Sequence, residues 1–129
     1  MAKSVTLAAT GDERIDRVKP VWKKRITFIW ENTDTGAQSQ AVPLNGVIMA
    51  MIAQVNDNTG NRTITLALVD DLAGSLFSAA GIAENATTVK VAPTDFVEIP
   101  VNGTLTVTVT PSGDPGATGM TAIVELRGL

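Results

Sequence analysis

The chain uses one short phrase twice. Val42-Pro43-Leu44-Asn45-Gly46 precedes the apolar run Val47–Val55, and Ile99-Pro100-Val101-Asn102-Gly103 precedes Thr104–Thr110. Proline removes a ladder donor and suits a strand start or a sheet edge. Asn-Gly supplies the positive-φ positions of a tight turn. Each phrase therefore reads as a short strand, a sharp turn and a long strand leaving it. Either two hairpins use the same turn chemistry independently, or a pseudo-symmetric sandwich builds its two halves on one hairpin. Both accounts concern architecture rather than chemistry.

Strand periodicity recurs along the chain. Val21–Glu31 alternates, with Trp22, Lys24, Ile26, Phe28 and Trp30 on one face. Period two with aromatic and β-branched content marks a strand. Ala37–Leu44 is a weaker one. Val47–Val55 is apolar on both parities, the pattern of a strand covered on both faces; a buried helix is the competing reading, and the turn that follows favours the strand. The cluster Asn56–Asn61 then leads into Arg62–Val69 as a long-loop hairpin. Asp70-Asp71 and Gly74 mark a corner, and Ser78–Gly81 carries no clear pattern. Thr87–Ala92 and Phe96–Val101 read as short strands. In Thr104–Thr110, Leu105, Val107 and Val109 oppose four threonines, whose branching stiffens the strand. Pro111–Gly116 is a turn, and Met120–Leu126 is the last strand. About eight strands with Gly, Pro and Asn punctuation, and no amphipathic helix, predict an all-β antiparallel sandwich. A jelly roll fits best. An immunoglobulin-like sandwich is the alternative, without a Cys-Trp-Cys arrangement to support it. Residues 1–20 are expected to form an extended arm or an added edge strand, and residues 21–129 one sandwich domain.

The residue inventory argues against most chemistry. Cysteine and histidine are both absent from the 129 residues. That excludes disulfides, thiolate metal sites and the commonest general base and metal ligand. Serine and threonine are plentiful but have no activating base. Asp70-Asp71, with Asp57, could approach a cation, yet such a pair more often starts a turn, and no EF-hand spacing is present. No catalytic residue, metal or cofactor is expected, and the chain reads as a non-enzyme. The N-terminus lacks a signal-peptide core, and no apolar stretch reaches membrane-spanning length. Synthesis in the cytoplasm and no membrane partner follow as expectations.

Charge is uneven. Arg14, Arg17, Lys19, Lys23, Lys24 and Arg25 stand against Asp16 alone, giving that stretch +5 in a chain of net charge −3 and leaving −8 elsewhere. A basic segment on an acidic body suggests a protein-binding arm, whereas a nucleic-acid domain is usually basic as a whole. Trp22 and Trp30 fall on an apolar parity, so core packing suits them better than base or sugar stacking. Apolar surface beyond one core's needs points to an interface. Met49 and Met51 in the doubly apolar run are candidate subunit-interface residues.

Several segments together carry a resemblance: Phe28-Ile29-Trp30, Val42–Gly46, Asn58-Thr59-Gly60-Asn61 before Thr63–Leu66, Gly81–Thr87, and Ile99–Gly103. Across residues 21–128 the chain resembles the capsid decoration, or cement, proteins of tailed bacteriophages. The resemblance implies a virion structural protein, made in the host cytoplasm, that binds the outside of an assembled head as a dimer or trimer. Its partner would be the major capsid protein, bridged between subunits. The six basic residues from Arg14 to Arg25 are then the candidate shell contacts. A receptor- or carbohydrate-binding sandwich and a tail or baseplate protein are the alternatives.

Overall fold

The computed structural model describes the backbone of residues 3–7 and, in full, residues 21–129. Eight strands follow one another: β1 (Lys3–Leu7), β2 (Trp22–Trp30), β3 (Gln38–Val55), β4 (Ile64–Asp70), β5 (Gly74–Ile82), β6 (Ala86–Val91), β7 (Ile99–Pro111) and β8 (Met120–Gly128). No helix occurs among the described residues. Every pairing is antiparallel.

The 18-residue β3 organises the fold, because it belongs to two sheets. Its first part pairs with β7, from Gln38↔Val109 to Ile48↔Ile99. Its second part lies between β8 and β6, with Ile52 opposite both Glu125 and Val89. Hydrogen bonding is continuous through β3, and the change of partners along it divides the sheet into two layers, β1-β2-β8-β3-β6 and β3-β7-β4-β5. This interleaving is a jelly roll with β1 added outside β2. The buried rows of both sheets form one core, including Trp22, Phe28 and Trp30 from β2, Leu66 and Leu68 from β4, and Leu105, Val107 and Val109 from β7.

The repeated phrase is not a pair of hairpin turns. Both copies lie inside long strands and pair with each other: Pro43↔Thr104, Leu44↔Gly103, Asn45↔Asn102, Gly46↔Val101 and Val47↔Pro100. The phrases thus face each other around a local two-fold through Asn45 and Asn102. The reason lies in edge chemistry. Among the described residues, residues 38–46 of β3 pair only with β7, and residues 99–104 of β7 pair only with β3. Each proline therefore sits where its strand has a single neighbour, the setting in which a missing donor is tolerated.

Gly46 marks the corner where β3 leaves one sheet for the other. A side chain there would strike the Leu129 carbonyl and approach Trp22 Nε1 at 2.6 Å. Immediately beyond it, the register with β8 shifts between Ile48 and Ala50. This bulge exchanges the parities: Val42, Leu44 and Ile48 are buried before it, and Met51, Ala53 and Val55 after it. The Val47–Val55 run is apolar on both parities because the buried parity changes within it. Bulges commonly make such corners.

Four expected strands become two, since the pieces on either side of each Asn-Gly join. β5 escaped periodicity because its register against β4 shifts twice, between Ile64 and Leu66 and between Leu68 and Val69. Asp70 starts the turn before β5, its Oδ2 accepting hydrogen bonds from the backbone N–H groups of Leu72 (3.0 Å) and Ala73 (2.8 Å).

Candidate functional site

The outer face of the β1-β2-β8-β3-β6 sheet gathers side chains from distant parts of the chain. Antiparallel register lays them in rows. One row reads Arg25, Glu125, Ile52, Val89; the next reads Thr27, Ile123, Gln54, Thr87; on the other side lie Lys23, Arg127, Ala50 and Val91. Alternation dictates this arrangement: with Trp22, Ile26 and Phe28 inward, odd-numbered β2 residues must point outward. The same holds for β8, whose Ala122, Val124 and Leu126 are buried. Behind the bulge, Ala50, Ile52 and Gln54 become the outward residues of β3.

Apolar and ionic surface are adjacent here. Val89 is 53% exposed and Val91 40%. Beside them Glu125 is almost fully covered, yet it accepts bonds from two arginines. Arg25 approaches Oε1 through Nε at 2.9 Å and Nη2 at 2.8 Å, and Arg127 Nε binds Oε2. Burial pushes the Glu125 carboxyl up, but the hydrogen bonds and charges of Arg127 and Arg25 outweigh it and hold the group below the ordinary carboxylate value. About half of each arginine side chain remains exposed. Guanidinium carries five donors, so each arginine has N–H groups beyond those bonded to Glu125.

A shallow groove crosses these rows along the strand direction. Its ionic end, about 180 Å³, lies over Arg25, Glu125, Arg127 and Ile52. Its other end, about 340 Å³, is lined by Asn56, Asn85, Ala86 and Thr121. Gln54, Thr87 and Ile123 border both.

The expected shell contacts separate in space. Arg25 is on this face and Lys23 is beside it, half-buried. Lys24 is not: it points into the opposite face and is 1% exposed, so its side chain is not presented to a partner. Arg14, Arg17 and Lys19, like the expected arm of residues 1–20 apart from the β1 backbone, lie outside the described residues. Met51 is a core residue, 1% exposed, which removes it as a subunit-interface candidate for the folded protomer; Met49 is half-buried at the bulge. Sequence reasoning missed Glu125, Arg127, Val89 and Ile52. The signal for the first two was present in the outward parity of the last strand, Thr121, Ile123, Glu125, Arg127.

Both tryptophans are structural. Trp22 and Trp30 are 0% and 1% exposed. Their indole N–H groups donate to the carbonyls of Leu129 (2.9 Å) and Gly36 (2.7 Å). Phe28 stacks against Trp30 at 6.1 Å between centroids.

No protein-family model matches the chain. No curated protein matches it either. Among solved structures it is similar to the carbohydrate-binding module TmCBM61 in complex with β-1,4-galactotriose, at 12% identity over 98% of this chain and 86% of the other, with a TM-score of 0.44. It is also similar to a carbohydrate-binding module of Cellvibrio mixtus lichenase 5A in complex with cellotriose, at 12% identity over 96% and 89% of the two chains, with a TM-score of 0.41.

Proposed function

We propose that this protein is a non-catalytic jelly-roll module that docks onto a protein surface through the outer face of the β1-β2-β8-β3-β6 sheet. One observation carries the reading: Val89, Val91 and Ile52 form an apolar strip on an open sheet face, flanked by the Arg25–Glu125–Arg127 cluster. Apolar centres with arginine beside them suit protein recognition. The resemblance to phage decoration proteins makes the outside of an assembled capsid, and its major capsid protein, the partner class to test first. A homodimer or homotrimer seated there would bridge neighbouring shell subunits.

The test is cosedimentation with purified heads of the source virus, comparing the unaltered protein with Val89→Glu. Saturable binding by the former, reduced at least about tenfold by a charge placed in the strip, supports docking through this face. Equal binding by both refutes the face, and no binding by either refutes the capsid.

A second reading has its own support. The wide end of the groove carries the amides of Asn85 and Gln54 and the hydroxyl of Thr121, which suit sugar hydroxyls. A neutral oligosaccharide bound there would shift the backbone resonances of these residues. It would leave tryptophan emission unchanged, because Trp22 and Trp30 are enclosed. Titration with β-1,4-linked galacto- and gluco-oligosaccharides decides it: saturable shifts confined to that end would establish sugar recognition.

A further inference from the structure

We infer that Arg25 and Arg127 form a clamp for a carboxylate side chain of an extended acidic segment on the partner protein, laid along the groove. The inference rests on the docking reading above and gives that partner its chemistry. Three features support it.

The first is preorganisation. Glu125 is buried to within 4% and engages Nε of each arginine, together with Arg25 Nη2. Both guanidiniums are therefore held before any partner arrives, which removes much of the ordering cost of binding. The second is surplus charge. Two guanidiniums share one carboxylate, so these three groups keep a net positive charge, and the half-exposed arginines carry more donors than Glu125 engages. Planar guanidinium donors match a carboxylate bidentately. The third is what lies beyond the clamp. Along the groove comes Ile123, with Ile52 beside the clamp in the row of Glu125, and both suit an apolar side chain. Gln54 and Asn85 follow, whose amides suit a peptide backbone. An extended chain advances about 3.3 Å per residue, so a segment parallel to β8 would place alternate side chains against the Arg25–Arg127 pair and Ile123. Glu125 acts here as a positioning residue: it does not touch the ligand but fixes the groups that do.

The experiment uses the full chain labelled with 15N and two capped probe peptides, penta-glutamate and penta-glutamine. The arginine Nε–H resonances and the backbone amides of Gln54, Thr87 and Ile123 are followed. Penta-glutamate should produce saturable shifts at Arg25 and Arg127, weakened by salt, while penta-glutamine should produce none. Arg127→Lys keeps the charge but removes the fork, and should weaken binding about tenfold. Glu125→Gln should broaden both arginine signals and weaken binding, with folding checked by the dispersion of the remaining spectrum. No saturable shift with penta-glutamate overturns the clamp. Shifts with trigalacturonate and none with the peptide also overturn it, and assign the site to acidic sugars. The two readings fail separately. If Val89→Glu abolishes head binding while penta-glutamate is ignored, the docking face stands and the clamp falls. If the peptide binds but Val89→Glu changes nothing on heads, the clamp stands and the docking reading falls.

Discussion

Replacing Gly128 with alanine should damage this fold more than any other single methyl addition at its glycines that falls on open backbone. Gly128 closes β8 against the corner of β3. A Cβ built there collides with the Val47 carbonyl oxygen, and lies 2.8 Å from the Val47 carbonyl carbon and 2.7 Å from Trp22 Cζ2. Two of these are backbone atoms, so no rotamer change relieves the clash. Moving the β8 terminus away breaks three hydrogen bonds: Val47 N–H to Leu129 O (2.8 Å), Leu129 N–H to Val47 O (3.0 Å) and Trp22 Nε1–H to Leu129 O (2.9 Å). At about 1 kcal/mol net each, with a further ~1 kcal/mol for the indole donor left buried, the loss is about 4 kcal/mol. That is a large part of a stability of roughly 5–15 kcal/mol. With a urea m-value of about 2 kcal/mol/M, the midpoint should fall by about 2 M. Gly74→Ala is the comparison. It has φ +82 and no atom within 4 Å of the added methyl, so only the left-handed backbone cost of about 1–2 kcal/mol applies. Urea unfolding read by circular dichroism and by tryptophan emission measures both. If Gly128→Ala loses no more stability than Gly74→Ala, close packing at this corner is not what requires glycine.

Acid should weaken the outer face. Glu125 is held below the ordinary value of 4.5, so its contribution is complete above that pH and is lost as pH falls through the lower folded value; Glu125→Gln should flatten this part of the stability profile from pH 6 to 3, a window of roughly 3 units around the carboxylate range. Lys24→Glu should cost about 3 kcal/mol or more, because it reverses a charge held at 1% exposure, whereas Lys23→Glu on the outer face should cost under about 1 kcal/mol; thermal melts of the two variants check the contrast. Asn58→Ala should cost about 2–3 kcal/mol, since buried Asn58 accepts from Arg62 N–H at 2.7 Å and donates to Arg62 O at 3.1 Å; chemical unfolding measures it, and a loss below about 0.5 kcal/mol would show that water replaces both bonds.

Much of the fold is legible in the chain where alternation is clean. Val21–Glu31, Thr104–Thr110 and Met120–Leu126 show their strands and buried faces directly, and the scarcity of helix-period patterns leaves an antiparallel sandwich. The Asn-Gly phrases mislead for a definite reason. Asn-Gly favours a tight turn in an isolated hairpin, but here each phrase has the other as its partner, and cross-strand pairing over Val42–Ile48 overrides the local preference. The bulge at Ile48–Ala50 is invisible to periodicity for a related reason. A parity exchange inside an all-apolar run leaves no polar residue out of place, and so looks like a strand covered on both sides.

The candidate site is illegible for a different reason: its parts meet only through register. Arg25, Ile52, Val89 and Glu125 lie on four strands, and Arg25 and Glu125 are 100 residues apart. Charge counting found Arg25 but grouped it with Lys24, which the pleat sends to the opposite face. Once the sheet order is known, the reading changes from a basic segment to a basic cluster. That cluster is poorly explained by stability alone. Burial of Glu125 is more than offset by its two arginines, which hold the carboxyl below its ordinary value, but salt bridges to half-exposed partners contribute only about 0–1 kcal/mol net. An aliphatic residue at position 125 would extend the strip of Ile52 and Val89 and would bury as well. It would also leave the face uniformly apolar and without orientation. The buried carboxylate fixes two cations at one end of the strip, and so gives the surface a direction in which a partner can be read.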